Sequence, residues 1–285
     1  MTGYSGGDTD AFPTLHGESM PRILIGDGQL YYERQGVGFP VMFISGLSGF
    51  ASYWQDQAAA FGRKFDVITH DHRGIGQSDP TRSGFTVDRM AADAIGLMDA
   101  LEIERAHIVG HSTGGAIAQI LAIEHPNRLA SVVLSASWTK PDAYFRRLFG
   151  LRKDILLRLG PSAYVQANSL YLYPSWFVAR NNERLRQLEA QNLAVFPPTE
   201  VAASRIDAIL AFDRTESLGR IKTPTLVVGA EDDLVTPSYF SEELGRLIPG
   251  AEIKIFPRGG HAFTQVRARE FNQAVLPFLS SHTPN

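Results

Sequence analysis

Nearly continuous runs of apolar residues recur along the first half of the chain. They occupy residues 41–44, 65–69, 106–109 and 129–134. Such runs are typical of strands covered on both faces, as in a parallel sheet, whereas a half-exposed strand alternates apolar and polar residues. Helical patterns over residues 87–101 and 115–124 separate some of these runs. Strands that alternate with helices predict an α/β fold.

Two shorter strand patterns precede this series, and four further elements follow it at a distance. Residues 23–25 and 29–33, joined by Gly26-Asp27-Gly28, predict a hairpin at the edge of the sheet. The later elements are predicted as strand, helix, strand and helix over residues 225–228, 237–247, 252–256 and 267–279. The strands of one sheet are therefore expected to come from two segments of the chain that are separated in sequence and adjacent in space.

Residues 138–220 interrupt the alternation. They have the pattern of helices rich in Leu, Arg, Tyr and Phe, divided at Gly160-Pro161, Tyr173-Pro174 and Pro197-Pro198. We expect an inserted helical cap here. The chain is thus predicted to consist of a flexible N-terminal tail (1–20), the first part of a core (21–137), the cap (138–220) and the second part of the core (221–285).

Composition narrows the chemistry. The 285 residues include no cysteine, which excludes disulfides, thiolate metal sites and a cysteine nucleophile. The net charge of -3 provides no basic field for nucleic acid. No apolar run reaches the roughly 18 to 20 residues of a membrane span, and the start of the chain lacks a hydrophobic signal core. We expect a cytoplasmic protein that acts on a small molecule without a metal, cofactor, nucleic acid or membrane, and a homodimer is left open.

A glycine-rich turn lies between a predicted buried strand and a predicted helix. Its sequence, Gly110-His111-Ser112-Thr113-Gly114, has the G-x-S-x-G pattern in the strand, turn and helix context that produces a nucleophile elbow. His261, in Gly259-Gly260-His261, follows the last predicted strand, and Asp232 and Asp233 follow the strand before it. The carboxyl ends of parallel strands share one edge of a sheet, so these side chains are expected to meet Ser112 there. The order Ser, Asp, His along the chain is typical of this topology.

The chain resembles α/β-hydrolases over nearly its whole length from Arg22 onward. The matching segments are Ile44-Ser45-Gly46-Leu47, Asp71-His72-Arg73-Gly74-Ile75-Gly76-Gln77-Ser78, the elbow and Gly259-Gly260-His261. Within that superfamily it is most similar to aminoacrylate hydrolases of pyrimidine breakdown, through Ile44-Ser45-Gly46-Leu47, Ser52-Tyr53-Trp54, Leu170-Tyr171-Leu172-Tyr173-Pro174 and Glu231-Asp232-Asp233-Leu234. It is also similar to 3-oxoadipate enol-lactonases and to hydrolases of N-acylated enamines. The resemblance implies a mostly parallel central sheet flanked by helices, with an inserted helical cap.

The resemblance also implies a Ser-His-Asp triad. Ser112 Oγ would attack a carbonyl carbon, and His261 would take its proton and return it to the leaving group. An aspartate would orient the imidazole and support its positive charge. Asp233 is preferred because Pro237 follows it by four residues, as in the family, but the spacing from the preceding strand selects Asp232. The sequence therefore leaves open whether Asp232 or Asp233 is the acid of the triad.

The oxyanion hole is implied to consist of the backbone N–H groups of Leu47 and Thr113. Such donors meet the negative charge that develops on the carbonyl oxygen in the transition state. Ser45 stands where many relatives have a histidine. The Leu47 donor does not depend on that side chain.

The cap carries 12 Lys and Arg against 8 Asp and Glu. Solvated helix faces account for most charge of this kind. We hypothesise that Arg146 or Arg147, which lie near the predicted start of the cap, binds a substrate carboxylate, since the planar guanidinium group can form two parallel hydrogen bonds to a carboxylate. Tyr171 and Trp176 are further candidates for substrate contact, with helix packing as their alternative role.

Together these expectations describe a cofactor-free serine hydrolase for a small, carboxylate-bearing amide, enamine or ester. Three alternatives share the same residues and stay open. They are a small-molecule receptor of hydrolase fold, an enol-lactonase or general carboxylesterase, and a cofactor-free haloperoxidase.

Overall fold

A sheet of eight strands lies at the centre of the fold. The computed structural model describes residues 21–284, so the tail predicted over residues 1–20 lies outside the described residues. The strands are β1 (Arg22–Ile25), β2 (Gly28–Gln35), β3 (Phe39–Ile44), β4 (Phe65–His70), β5 (Ala106–His111), β6 (Leu129–Ser135), β7 (Thr225–Ala230) and β8 (Glu252–Phe256).

The strand order across the sheet is β1-β2-β4-β3-β5-β6-β7-β8. The strands β3 to β8 pair in parallel, while β1 and β2 form an antiparallel hairpin that joins the edge of β4. Every residue of β4, β5, β6 and β7 is buried, which explains their largely apolar sequences. The predicted fold class and the edge hairpin are confirmed.

Helices cover both faces of this sheet, and others form the inserted segment. The helices of the described residues are α1 (Gln55–Phe61), α2 (Val87–Ala100), α3 (Thr113–Glu124), α4 (Ala143–Leu172), α5 (Ser175–Arg180), α6 (Asn182–Ala194), α7 (Thr199–Ala211), α8 (Ser238–Leu247), α9 (Phe263–Val266) and α10 (Ala268–Ser281). The helices α1 and α10 contribute to the core on one face, and α2, α3 and α8 contribute to the core on the other. Within residues 21–284, no helix has the length and apolar composition needed to cross a bilayer.

Alternating residues of β3 show how the two faces are filled. Val41 and Phe43 belong to the core cluster that includes Trp54, whose ring centroid lies 4.9 Å from that of Phe43. Met42 and Ile44 belong to the cluster on the opposite face. Because successive side chains of a strand point to opposite faces, an entirely apolar strand is needed to fill both cores.

The helices α4 to α7 lie between β6 and β7, within the residues predicted as the cap. The helix α4 packs against α6 and α7. At Gly160 the angle φ is 86°, a conformation that favours glycine, and Pro161 follows directly. The helix α4 therefore consists of two helical segments joined at a kink. The cap boundaries at residues 138 and 220 stay a prediction.

Three helices differ from the sequence pattern. The short helices α1 and α9 were not predicted, because their seven and four residues are too few to establish a helical period. The helix α3 begins two residues earlier than expected, at Thr113. Its first turn is formed by the Ser112 carbonyl, which accepts hydrogen bonds from the N–H groups of Gly115 and Ala116 at 2.9 and 3.2 Å. The helix thus starts immediately after the predicted nucleophile.

The buried ring of His107 should make stability depend on pH. Burial, with smaller contributions from His282 and Arg105, lowers the pKa of His107 to about 4. An unfolded histidine has a pKa near 6.5, so between pH 7 and pH 5 the unfolded chain gains a proton that the native chain does not. The free energy of unfolding therefore falls as the pH falls through this window.

We expect the substitution His107→Gln to reduce this fall between pH 7 and pH 5 by about 1 to 2 kcal/mol, because glutamine does not titrate. Glutamine can keep polar contacts with Ser131 and Thr283, which lie 2.8 and 3.1 Å from the two ring nitrogens. Urea unfolding at the two pH values measures the difference. An equal fall in the wild type and the variant would contradict the expectation.

Candidate active site

Ser112 occupies the sharp turn between β5 and α3. Its φ and ψ are 55° and -115°, outside the regions that a non-glycine residue prefers. Its N–H donates to the Ser135 carbonyl at 2.8 Å, which anchors the turn to the neighbouring strand β6. The Ser112 side chain lies on the wall of a cavity and is otherwise largely buried. The sequence-predicted elbow is thus present in the backbone.

Close backbone approach explains two of the glycines around Ser112. A Cβ added at Gly110 would lie 2.1 Å from the Gly114 oxygen, and one added at Gly114 would lie 2.0 Å from the Ile44 oxygen. Neither distance is compatible with a side chain. This packing brings the end of β3 against the start of α3, and Gly46 in the following loop lies directly beside Ser112.

His261 and Asp233 form a buried hydrogen bond. The Nδ1 atom of His261 lies 2.8 Å from Oδ2 of Asp233, and the two side chains are 4% and 0% exposed. The carboxylate also accepts hydrogen bonds from the Val235 and Thr236 N–H groups and from the Thr236 hydroxyl. A neutral imidazole that donates its Nδ1–H to Asp233 keeps Nε2 as an acceptor.

Asp232 has a different partner set. Its Oδ1 atom accepts hydrogen bonds from the N–H groups of Gly259 and Gly260, both at 2.8 Å. These residues form the turn before His261, and their φ angles are 146° and 64°. Asp232 therefore holds the loop that carries the histidine, whereas Asp233 contacts the imidazole itself. Of the two acids that the sequence left open, the geometry favours Asp233 as the partner of His261.

Ser112 and His261 line the same cavity. Within residues 21–284, no hydrogen bond joins the Ser112 hydroxyl to the imidazole, as is common in hydrolytic sites without substrate. His111 directly precedes Ser112, and its ring centroid lies 4.9 Å from that of His261. Burial lowers the pKa of His111 well below its usual value, and His261 lowers it further. His111 stacks on Tyr53 at 5.0 Å and is a packed wall of the elbow.

The two predicted oxyanion donors belong to segments that adjoin Ser112. Thr113 is the first residue of α3, and Leu47 follows Gly46. Among the described residues neither N–H has a hydrogen-bond partner, so both are free to donate. The carbonyl of Leu47, by contrast, accepts from Nε and Nη2 of Arg205 at 3.1 and 3.0 Å. The side chain of Ser45, which replaces the histidine of many relatives, is buried and its hydroxyl is unpaired within the described structure.

A cavity of about 270 Å³ lies above Ser112, between the sheet edge and the cap. The core contributes Leu47, Tyr53 and His261 to its wall, among other residues. Most of the remaining wall comes from α4, α6 and α7, where Arg152 and Arg205 are the charged residues of positive sign. The cap therefore decides which substrates could reach Ser112.

The four substrate residues suggested by the sequence do not line this cavity. Arg146 and Arg147 are exposed, and Arg146 donates to the Leu210 carbonyl at 3.2 Å. Tyr171 packs against the apolar core, and the Trp176 ring lies near the Arg267 guanidinium at 5.9 Å. The hypothesis that Arg146 or Arg147 binds substrate is therefore wrong for this geometry.

Helical periodicity explains the correction in α4. The buried residues Phe145, Leu148, Phe149, Arg152 and Leu156 recur at spacings of three and four. Arg146 and Arg147 lie on the opposite, exposed face. The signal that could have identified Arg152 was thus in the sequence, as a charged residue on an apolar helix face. Arg205 is a similar case, since it shares the buried face of α7 with Val201 and Ile209.

The pair His70 and His72 has no metal-binding arrangement. Their rings stack at 5.3 Å, and burial lowers the pKa of His70 to about 4. The Nδ1 atom of His72 accepts a hydrogen bond from Arg205 at 2.9 Å. In the part of the chain from 21 to 284, no group of three or more His, Asp and Glu side chains is placed to hold a metal ion.

The chain is similar to known proteins along most of its length. A model described as the alpha/beta hydrolase fold matches residues 40–264. A relative from Azorhizobium caulinodans that carries the carbamate hydrolase name RutD is 40% identical over 259 residues, or 91% of this chain and 98% of the relative. A protein of the same name from Caulobacter vibrioides is 40% identical over 91% of this chain and 99% of its own length. The crystal structure of the enol-lactonase from Burkholderia xenovorans LB400 has a TM-score of 0.84 and 26% identity, and covers 91% of this chain and 100% of that chain.

The packing at Gly114 can be tested by one added methyl group. In Gly114→Ala the Cβ would overlap the Ile44 carbonyl oxygen, so we expect a loss of about 1 to 3 kcal/mol in the free energy of unfolding. Gly150→Ala is the matched control, because a Cβ at this position in α4 has no atom within 4 Å. Alanine is the better helix former there by about 1 kcal/mol, so the control should be neutral or stabilised. Equal thermal unfolding of the two variants would contradict the close approach.

Proposed function

The chain belongs to the alpha/beta hydrolase family and is a hydrolase, and on this premise we propose that Ser112, His261 and Asp233 are its catalytic triad. The proposed substrates are small amides, enamines or esters that bear a carboxylate. The observation that carries the proposal is the buried 2.8 Å contact between His261 and Asp233, next to a serine held in an elbow on the same cavity. The carbamate hydrolase name of the relatives and the enol-lactonase of similar fold support a small substrate.

In the proposed first half-reaction, Ser112 Oγ forms a bond to the carbonyl carbon of the substrate. Its proton passes to Nε2 of His261, and the carbonyl π electrons move to the oxygen. The resulting oxyanion is stabilised by the N–H groups of Leu47 and Thr113, which have no other partner among the described residues. When the carbonyl reforms, the bond to nitrogen or oxygen of the leaving group breaks. The imidazolium returns its proton to that atom.

The second half-reaction releases the acyl group. A water molecule gives a proton to His261 while its oxygen attacks the acyl carbon, and the same two N–H groups meet the new oxyanion. Collapse breaks the bond to Ser112 Oγ, which regains the proton from the imidazolium. The products are the acid and the free leaving group, so one water is consumed for each bond cleaved.

Asp233 supports both half-reactions by fixing the imidazole. Three hydrogen bonds from Val235 and Thr236 orient its carboxylate, and its contact with Nδ1 of His261 leaves Nε2 as the ring nitrogen available to the substrate. The negative charge of Asp233 favours the imidazolium that forms in each step. Asp232 is a positioning residue, because its hydrogen bonds go to the loop before the histidine.

The first test is covalent labelling of Ser112. A fluorophosphonate probe should label the wild type, and the protein should hydrolyse 4-nitrophenyl acetate over many turnovers. Ser112→Ala should lose both, because the covalent step has no nucleophile. Ser175→Ala, which changes an exposed serine at the start of α5, is the control and should be unaffected.

Three other results of this test would contradict the proposed function. Labelling of Ser112 with no turnover on esters or amides would favour a receptor of hydrolase fold. Hydrolysis that persists in Ser112→Ala would exclude the covalent mechanism. Peroxide-dependent bromination in acetate buffer that exceeds hydrolysis would favour a haloperoxidase.

The second test compares the two neighbouring acids. Asp233→Asn should lower kcat by as much as about 10⁴-fold, because an amide facing Nδ1 favours the wrong tautomer of His261. Asp232→Asn keeps an oxygen that can accept from Gly259 and Gly260, so we expect a loss of about tenfold or less. Steady-state kinetics on one ester measures both. If Asp232→Asn were the more damaging change, Asp233 would not be the triad acid.

A further inference from the structure

Arg205 is a buried cation that has no counter-ion among the described residues. Its side chain projects from α7 and the residue is 1% exposed. Within residues 21–284, no carboxylate lies within ion-pair distance of its guanidinium. Burial lowers the pKa of Arg205 to about 10, which leaves the group charged at neutral pH. A buried charge that lacks an ionic partner is costly, and proteins seldom keep one without a use.

The polar contacts of Arg205 satisfy only part of its guanidinium. Its Nε and Nη2 atoms donate to the Leu47 carbonyl, and Nη2 also donates to Nδ1 of His72 at 2.9 Å. Burial and the neighbouring Arg205 hold the pKa of His72 well below its usual value, so His72 accepts as a neutral ring. It therefore supplies no negative charge.

The remaining nitrogen, Nη1, is the atom that lacks a partner. It is buried and, among the described residues, makes no hydrogen bond. Arg205 also lines the cavity above Ser112. Because buried polar atoms are nearly always paired in folded proteins, an unpaired guanidinium N–H in a residue that lines a cavity indicates a ligand acceptor.

A second guanidinium lines the same cavity. Arg152 of α4 is 5% exposed, donates to Asn168 at 3.1 Å and lies 4.5 Å from the Phe149 ring centroid. Within the described chain it too has no ion-pair partner. The cavity wall contains one carboxylate, Glu189, which accepts a hydrogen bond from Ser169. Two cations against one anion leave the wall with an excess of positive charge.

We propose that Arg205 binds a carboxylate of the substrate and thereby selects acids whose carboxylate lies a few bonds from the reacting carbonyl. This inference rests on the proposed function, because it assigns the substrate of the same site. The short reach follows from Leu47, whose carbonyl is held by Arg205 and whose N–H is the proposed oxyanion donor. This carbonyl and this N–H are both backbone groups of Leu47, and one residue spans only about 3.8 Å between consecutive Cα atoms. The bound carboxylate and the oxyanion of the substrate would therefore lie a short distance apart. Arg152 adds positive charge to the same cavity.

A purely structural role for Arg205 is the competing explanation. Its two hydrogen bonds to Leu47 tie the cap to the oxyanion loop. If this were its whole function, removing the side chain would harm every substrate to the same extent. Carboxylate binding instead predicts a loss that is larger for an anionic substrate than for a neutral one of the same size.

The experiment uses two esters that differ only in that charge. 4-Nitrophenyl hemisuccinate and 4-nitrophenyl butyrate have four-carbon acyl groups, and the first ends in a carboxylate. We expect the wild type to prefer the hemisuccinate. In Arg205→Met the ratio of kcat/KM for hemisuccinate to that for butyrate should fall about 10- to 100-fold, mainly through KM, as expected for loss of a charged hydrogen bond. Arg146→Met is the control, since Arg146 is exposed, and should keep the wild-type ratio.

Three outcomes would overturn the inference. One is an equal loss on both esters in Arg205→Met, which would leave only the structural role. Another is the absence of any preference of the wild type for the hemisuccinate. The third is the absence of competitive inhibition of the wild type by free succinate. The last two outcomes need no variant, so they decide the question even if Arg205→Met fails to fold.

Ser112→Ala separates this inference from the proposed function. Binding of succinate to Ser112→Ala, measured by calorimetry, should be retained and should weaken at least tenfold when Arg205→Met is added. That result would support the anion site even if Ser112→Ala still hydrolysed esters, in which case the proposed function would fail alone. Loss of hydrolysis in Ser112→Ala with no succinate binding would support the triad and overturn the role of Arg205.

Discussion

The candidate site depends on the close approach of three backbone segments around Ser112. The end of β3, the end of β5 and the start of α3 come so near that side chains at Gly110 and Gly114 would overlap carbonyl oxygens. This contact forces Ser112 into an unfavourable backbone conformation, at a cost of about 1 to 3 kcal/mol. The fully buried strands and helix on either side stabilise it. The same approach brings the loop before Leu47 and the start of α3 beside the serine, and both N–H groups of the proposed oxyanion hole are unpaired among the described residues. The strain and the proposed oxyanion hole therefore have one origin.

Buried charge is handled in two ways in this protein. The carboxylate of Asp233 accepts four hydrogen bonds, one of them from His261, so its hydrogen-bonding capacity is largely satisfied. Arg205 is buried as deeply but keeps an unpaired nitrogen and has no anion nearby in the described structure. The first arrangement is what a fixed orienting group requires. The arrangement of Arg205 leaves a hydrogen bond and a charge interaction for a ligand to provide, and this lowers the stability of the protein without the ligand.

Contacts between the cap and the core converge on the loops that carry the chemistry. The Arg205 side chain holds the carbonyl of Leu47 in the first loop. On the other side, the Leu172 carbonyl accepts from the N–H of Ala262, directly after His261, and the Tyr173 hydroxyl donates to Gln265. The cap therefore does more than cover the cavity. It fixes both the proposed oxyanion donor and the histidine loop, so a change in how the cap docks would alter catalysis as well as substrate choice.

The sequence by itself determined the features that depend on local spacing. Nearly continuous apolar runs predicted the parallel sheet, and a glycine pattern between strand and helix predicted the turn at Ser112, because both arise among residues adjacent in the chain. Tertiary structure alone decided between Asp232 and Asp233, since neighbouring residues point in different directions and only the position of the His261 loop shows which one faces the ring. It also replaced Arg146 and Arg147 with Arg152 and Arg205 at the cavity. Helical spacing can place a charged residue on an apolar face, but the docking of that face decides whether it meets the core, another helix or a substrate.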